Sequence, residues 1–240
     1  MELNKKGNNP IVAIGYLIKG LQLLTSTSLR KFIWIPILIN VVLYSAALVL
    51  GYYYLNDLIA QFIPSWLHWL NWILWPLFLI SFFIAGFFTF TVLANLLASP
   101  FYGRLSTETR LLIGEQLEAV KEPPFTQVIK AECKRAGYLL SRAIPLVIIS
   151  MIPGVNVIAP FLWALFGAWG MALEYLAYPL EAEGLLFEEQ QQTLKSIRLG
   201  ALSFGGVAAM GLTIPFVNII VAPAAVIGAT LYLNDMKKLA

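Results

Sequence analysis

The stretch TSTSLRK at 25–31 sets hydroxyls, an arginine and a lysine directly before a long apolar run. Hydroxyl residues in that place are a helix N-cap signal. A helix start carries unpaired N–H groups and a partial positive charge, which suits an anion. Arg30 adds a planar fork that matches the oxygens of a tetrahedral oxyanion, and Lys31 adds a second charge. Ser28, Leu29, Arg30 and Lys31 are therefore the candidate anion-binding residues. The bland alternative is that Arg30 and Lys31 form a snorkelling flank beside a membrane helix, and spacing alone favours it.

A second group lies at Arg104, Glu108 and Arg110. Arg104 and Glu108 are four apart and share a helix face. The three are candidate pore or entrance charges, against the plainer reading of a solvated helix face with i,i+4 pairing. Other chemistry is missing from the sequence. There is no G-x-x-x-x-G-K-[ST], no Ser/His/Asp set and no pair of carboxylates in an apolar setting. An ATP-driven pump in this chain alone is excluded. The single histidine, His68, and the single cysteine, Cys133, belong to no cluster with metal-ligand spacing. No catalytic residue, metal, cofactor or nucleic-acid partner is expected.

The elements that must position these charges are set by hydropathy. Of 240 residues, 59% are hydrophobic and 12% charged, and the mean hydropathy is +0.77. Soluble domains carry roughly 25% charged residues. The composition is that of an integral membrane protein, and the polar start MELNKKGNNP does not fit a signal peptide. None of the sixteen Lys and Arg lies between Phe32 and Gly103, where the only formal charge is Asp57. That window holds two long apolar runs, 32–55 and 69–98, each long enough to span the roughly 30 Å hydrocarbon core. Tyr52 to Tyr54 and Trp66, Trp69, Trp72 and Trp75 sit at belt depth around the 56–65 turn. A short apolar helix at 11–24 is expected at the interface. Past Gly103 the second long helix continues into water and ends before Pro123 and Pro124.

The last half repeats one plan. An apolar run at 143–152 meets the breaker PGVN and resumes at 157–173; another at 199–214 meets PFVN and resumes at 219–233. All four runs fall short of the roughly 20 residues of a normal span. Both pairs begin and end beside charges, which the positive-inside rule places in the cytoplasm. They form either two re-entrant hairpins or four short full spans, and length favours the hairpins. Irregular backbone at a hairpin tip must be covered by protein or a water-filled path, which points to an oligomer. At the bends, Asn156 and Asn218 are expected to cap free backbone, with Pro160 and Pro223 in the first turn or so beyond. Glycines 167, 170, 205, 206 and 211 read as close helix packing.

The expected architecture is thus an all-α membrane domain over 1–240. It comprises an interfacial helix and site loop at 1–31, and a transmembrane helix pair with a cytoplasmic extension at 32–122. A first helix hairpin at 125–178 and a second at 188–240 complete it.

Five pieces stand in an order that resembles the CysZ family of bacterial inner-membrane sulfate permeases. They are SLRKF at 28–32, ANLLASPFYGRL at 94–105, IPGVNVIAPFLWALFGAW at 152–169, EYLAYP at 174–179 and IPFVNIIVAPAAVIGAT at 214–230. The resemblance implies sulfate uptake for cysteine biosynthesis without ATP hydrolysis, with sulfite and related oxyanions as further candidates. It implies a multi-pass protein in the bacterial inner membrane, in contact with the lipid bilayer and assembled as a dimer or larger homo-oligomer. It implies two long transmembrane helices and two partly inserted helix pairs. A Gly-Leu-Arg type motif that binds sulfate in the family falls here on Ser28, Leu29 and Arg30, with serine in place of glycine. The family's acidic residues after the Pro-Phe-x-Gly turn correspond to a shifted pattern around Thr107 and Glu108. The alternative reading is a non-transporting membrane interaction protein that modulates a separate sulfate transporter.

Overall fold

The computed structural model describes residues 3–62, 69–115, 124–214 and 217–238, and the described residues are helical with turns and no strand. The chain divides into two compact units, Met1–Phe32 with Tyr102–Ala240, and Ile33–Phe101. Among the described residues, three helical stretches are long and apolar enough to cross a membrane: Ile37–Leu55, Val155–Glu181 and Asn218–Lys237.

In the Ile33–Phe101 unit, helix α2 (Lys31–Phe62) runs through NDLIAQF, which the sequence reading assigned to the turn. Helix α3 (Asn71–Leu112) has 42 residues. Inside this unit the Tyr44 hydroxyl donates to the Gly86 carbonyl at 2.9 Å, and the Tyr52 ring lies 5.0 Å from Trp75. The belt residue Trp66 and the single histidine, His68, lie outside the described residues. Most other described side chains here are exposed, among them Trp34, Leu38, Trp72 and Phe83.

The other unit is built around α9 (Asn218–Lys238), whose residues 221–230 are all buried. Helix α1 (Pro10–Leu23) starts where expected. Asn9 accepts the Ile11 N–H at 2.9 Å, and Pro10 occupies the first turn, where its missing N–H costs nothing. Ala13, Tyr16, Leu17 and Gly20 form its buried face against α9. The crossing requires glycine: a Cβ on Gly20 would stand 2.7 Å from the Gly228 nitrogen, and one on Gly228 2.7 Å from the Tyr16 carbonyl oxygen. Between α5 (Ala159–Tyr175) and α8 (Arg198–Leu212), a Cβ on Gly205 would stand 2.5 Å from the Ala172 nitrogen. Lipid tails are as apolar as leucine, so such close backbone packing replaces the hydrophobic drive between membrane helices. Gly211 is similarly tight against Val221, whereas Gly167 and Gly170 face open space. The Tyr232 ring stacks 6.1 Å from Phe204, and its hydroxyl bonds the Gly7 carbonyl, tying the chain start to α8 and α9.

Helix α4 (Phe125–Met151) has 27 residues, so the apolar run at 143–152 is only its last third. It is followed by a turn at Gly154 (φ +83°) and a 3₁₀ turn over Val155–Ile158 that leads into α5. The bend is closed by backbone rather than by the Asn156 side chain. The Asn156 N–H donates to the Ile152 carbonyl at 2.9 Å, and the Asn156 carbonyl accepts from Ala159. Ile158 precedes α5 without a side-chain cap, and Pro160 lies in the first turn as expected. In the second hairpin Asn218 is itself the first residue of α9, and Pro223 lies inside that helix rather than in its first turn. Pro215 and Phe216 of the second breaker lie outside the described residues. Short helices α6 (Ala177–Glu181) and α7 (Phe187–Ser196) link the hairpins.

Candidate functional site

The SLRK segment is the end of a tight loop between α1 and α2. Thr25 Oγ1 donates to the Gln22 carbonyl at 2.7 Å and so answers a carbonyl at the end of α1. Leu29 is fully buried and anchors the loop. The N–H groups of Leu29 and Arg30 both donate to the Ser26 carbonyl, at 3.2 and 3.1 Å, and Phe32 donates to Leu29 at 3.0 Å. The hydroxyls thus act differently from the N-cap expected of them: Thr25 closes the helix behind the loop, and the Ser26 hydroxyl is buried without a partner among the described residues. The amides of Leu29, Arg30 and Phe32 are committed within the turn. Those of Ser28 and Lys31 are engaged by no other described group.

Arg30 is exposed and forms no ion pair among the described residues. Lys31 is half-exposed, and its Nζ lies 3.5 Å from Glu108 Oε1. This ion pair joins the two charge groups that the sequence keeps 77 positions apart (108 − 31). It ties the site loop to the end of α3.

That end of α3 has two faces. Leu105, Ser106, Thr109 and Arg110 are buried, whereas Arg104 is exposed and Thr107 and Glu108 are partly so. On the buried face, Ser106 Oγ and Thr230 Oγ1 share a hydrogen bond of 3.0 Å, and Thr109 Oγ1 donates back to Leu105 at 2.7 Å. Arg110 is locked in a fork. Its Nε donates to Glu115 Oε2 at 2.8 Å, and its Nη2 to Glu115 Oε1 at 2.7 Å. Asn234 of α9 adds a bond to Glu115 Oε2 at 3.2 Å. Glu115 reaches back because Gly114 takes a left-handed conformation (φ +74°) and reverses the chain past α3.

The structure therefore sorts the expected residues into two sets. Arg30, Lys31, Arg104 and Glu108 stand on open surface, with three cations against one carboxylate, a formal +2 (3 − 1). Ser28 is partly exposed beside them, and Leu29 is structural. Arg110 stands apart, buried on Glu115. The sequence reading missed Glu115 and Asn234 as its partners, and no spacing rule connects positions 110 and 234. It also missed an ion pair between Lys237 and Glu183.

One further cavity, about 180 Å³, lies between α4, α6 and α7. Its charged lining, Glu132 and Glu181, is acidic, which is the wrong sign for an oxyanion. Burial pushes the Glu132 carboxyl above its ordinary range, and this outweighs the attraction of Arg135, 3.2 Å away. No group of three or more potential metal ligands exists among the described residues.

The profile of the family described as Sulfate transporter CysZ/Etoposide-induced protein 2.4 matches residues 16–223. A protein of Pseudomonas syringae pv. tomato named Sulfate transporter CysZ is 40% identical over 230 residues, covering 90% of this chain and 89% of the relative. Its namesake from Pseudomonas aeruginosa is 37% identical over 231 residues, covering 90% and 92%. That of Pectobacterium atrosepticum is 33% identical over 228 residues, covering 90% and 82%. These names describe transporters rather than enzymes, and the apolar helices are those of a membrane protein. The chain belongs to the Sulfate transporter CysZ/Etoposide-induced protein 2.4 family.

Proposed function

We propose that this protein carries sulfate across the bacterial inner membrane, without ATP hydrolysis, as uptake for cysteine biosynthesis. The observation that carries the reading is the open cationic patch at the start of α2, in a chain whose relatives bear the name of sulfate transporters. Sulfate meets Arg30 through paired N–H donors and the Ser28 and Lys31 amides through the helix start. Ser28 contributes its hydroxyl as well, and Leu29 holds the turn. Lys31 exchanges its Glu108 partner for the incoming anion, and Arg104 on the same open face draws anions toward it. Arg110 contributes by fixing the end of α3, not by meeting the solute. A polar path between subunits of a homo-oligomer then carries the anion, because the long helices offer few polar groups and a charge at the bilayer centre costs ~2.5–3.5 kcal/mol. The absence of a P-loop motif supports the claim of ATP independence. Sulfite and related oxyanions share the geometry the fork recognises.

The multi-pass arrangement proposed here has two long spans and two re-entrant hairpins. Exposure supports it. In the first hairpin the apolar residues left uncovered run from Ile144 through Met151 and Val157 to Leu165, whereas Ala168, Trp169 and 172–180 are nearly all buried in protein. The length of Val155–Glu181 therefore overstates what lipid has to cover. Arg142 to Met151 rises only about 14 Å, roughly half of a 30 Å hydrocarbon core. Purified protein in sulfate-free liposomes tests the transport reading. Radiolabelled sulfate uptake above that of empty vesicles, without ATP, is expected; uptake equal to empty vesicles overturns it.

A further inference from the structure

The four charges of the open patch come from two places in the chain, and one helix packs between those places. Arg30 and Lys31 end the loop that follows α1, whereas Arg104 and Glu108 stand on the end of α3. Helix α9 meets both. Its Ala224 and Gly228 take the buried face of α1, where Gly20 leaves no room for a Cβ. Its Thr230, about 160° around the helix from Gly228, meets Ser106 of α3. All of these residues belong to one compact unit.

The Ser106–Thr230 contact is a hydrogen bond of 3.0 Å in the interior, with Ser106 fully buried and Thr230 nearly so. Its direction is fixed. A threonine hydroxyl has one proton, and that of Thr230 goes to the Val226 carbonyl at 2.8 Å, so Ser106 donates and Thr230 accepts. Among the described residues this is the side-chain hydrogen bond that joins α3 itself to α9, since Asn234 reaches Glu115 beyond the end of α3. Ser106 lies two residues from Arg104 and two from Glu108, so both charges stand about 160° around α3 from it. With the Ser106 hydroxyl held inward, Arg104 and Glu108 are turned outward, and Glu108 comes within 3.5 Å of Lys31.

We propose that Ser106 and Thr230 are positioning residues for the anion site. Neither touches the anion. Their bond fixes the rotation and height of the α3 end against α9, while the Gly20–Gly228 crossing fixes α1 and the loop behind it against another face of the same helix. Arg30 and Lys31 are thereby held in register with Arg104 and Glu108. An apolar pair of the same shape fills an interior as well. A directional bond, however, accepts one rotation of α3, and a binding geometry is lost with shifts of about 0.5 Å. The inference rests on sulfate meeting the patch at Arg30 and Lys31.

Replacing both partners leaves neither hydroxyl stranded, so Ser106→Ala/Thr230→Val is expected to keep the unfolding midpoint of the detergent-solubilised full-length protein. Its affinity for labelled sulfate is expected to fall roughly three- to tenfold. Thr230→Ser, which keeps the bond, is expected to bind as wild type does. A second readout needs no sulfate. A water-soluble carbodiimide joins the Lys31 amine to the Glu108 carboxylate only where the two meet, and peptide mass spectrometry is expected to find less of that cross-link in the double variant than in wild type or Thr230→Ser. An unchanged cross-link yield overturns the proposal. So does a midpoint that falls together with the affinity, since general loosening then accounts for both, and so does a Thr230→Ser affinity no better than that of the double variant. Unchanged sulfate affinity in the double variant, where Arg30→Ala weakens binding, overturns it while leaving the site at Arg30. Unchanged affinity in Arg30→Ala is instead a failure of that site, and the cross-link then decides the positioning bond alone.

Discussion

Two groups of charge sit at the same end of α3, six residues apart at their arginines, and they serve different ends. Arg110 is buried and answered twice over by Glu115, with Asn234 filling a remaining acceptor site. Arg104 is exposed and unpaired among the described residues, in a patch where Lys31 and Glu108 make a loose ion pair of 3.5 Å. A buried pair has already lost its water, so its value rests on geometry and on neither member being removed. An open patch keeps its water, contributes little to stability, and leaves its charge for something that arrives. Residue type does not separate the two arginines. What separates them is the helix phase: residues 104 and 108 are about 40° apart on the helix, whereas 110 is about 240° from 104.

The sharpest way to break the comparison is to remove each arginine in turn. Arg110→Ala strands Glu115 and is expected to lower stability by ~3–5 kcal/mol. Arg104→Ala is expected to stay within ~0.5 kcal/mol. Denaturant unfolding of the detergent-solubilised protein measures both. Similar losses for the two would mean that burial does not distinguish them.

Arg30→Ala carries the comparison to the ligand side. It is expected to weaken sulfate binding roughly 10- to 100-fold while leaving the unfolding midpoint where it was. Equilibrium binding of labelled sulfate is the readout, and Arg30→Lys, which keeps charge without the fork, is expected to fall between. Unchanged affinity in Arg30→Ala would remove the site from α2.

Much of this arrangement was legible from residues alone, for identifiable reasons. Asn9 and Pro10 are a local start signal, and α1 begins there. The charge gap from Phe32 to Gly103 coincides with α2 and most of α3, because a lipid environment forbids charge more strongly than any propensity favours helix. Pro153 and Gly154 mark the first hairpin's bend, where Gly154 adopts the positive φ that glycine tolerates. Helix length was less legible. The backbone bonds of α4 pass through Glu132, Lys134 and Arg135 without regard to hydropathy, so a ten-residue apolar run concealed a 27-residue helix. The fate of the charges was legible least. Glu115 reaches Arg110 only because the chain reverses at Gly114, and Asn234 and Glu108 reach their partners through tertiary packing that no periodicity encodes.

The Lys31–Glu108 pair offers a finer test. Glu108→Gln removes a half-exposed ion pair, so stability is expected to change by less than ~1 kcal/mol. Sulfate binding is expected to tighten by roughly two- to fivefold, because the anion no longer competes with a carboxylate for Lys31. Weaker binding in Glu108→Gln would instead make Glu108 a positioning residue for the lysine.

The smallest effect compares two exposed carboxylates beside the polar half of α4, Glu132 on α4 and Glu188 on α7. The exposed Glu188 carboxyl lies below its ordinary range, through the hydrogen bond from Lys134 and then its charge. Its contribution is present above the unfolded value and is lost as pH falls through the lower folded value. Glu132 runs the other way: burial raises it, so protonation favours the fold below its unfolded value, and that benefit is lost as pH rises through the folded one. Unfolding midpoints followed between about pH 3 and pH 7 are expected to respond with opposite signs. Glu188→Gln lowers the midpoint slightly near neutrality and flattens the loss on acidification. Glu132→Gln mimics the protonated group and raises the midpoint near neutrality, provided burial outweighs Arg135 as the raised value requires. A fall in the midpoint for Glu132→Gln at pH 7 would show that the Arg135 ion pair governs, and that answered charge on α4 stabilises as it does at Arg110.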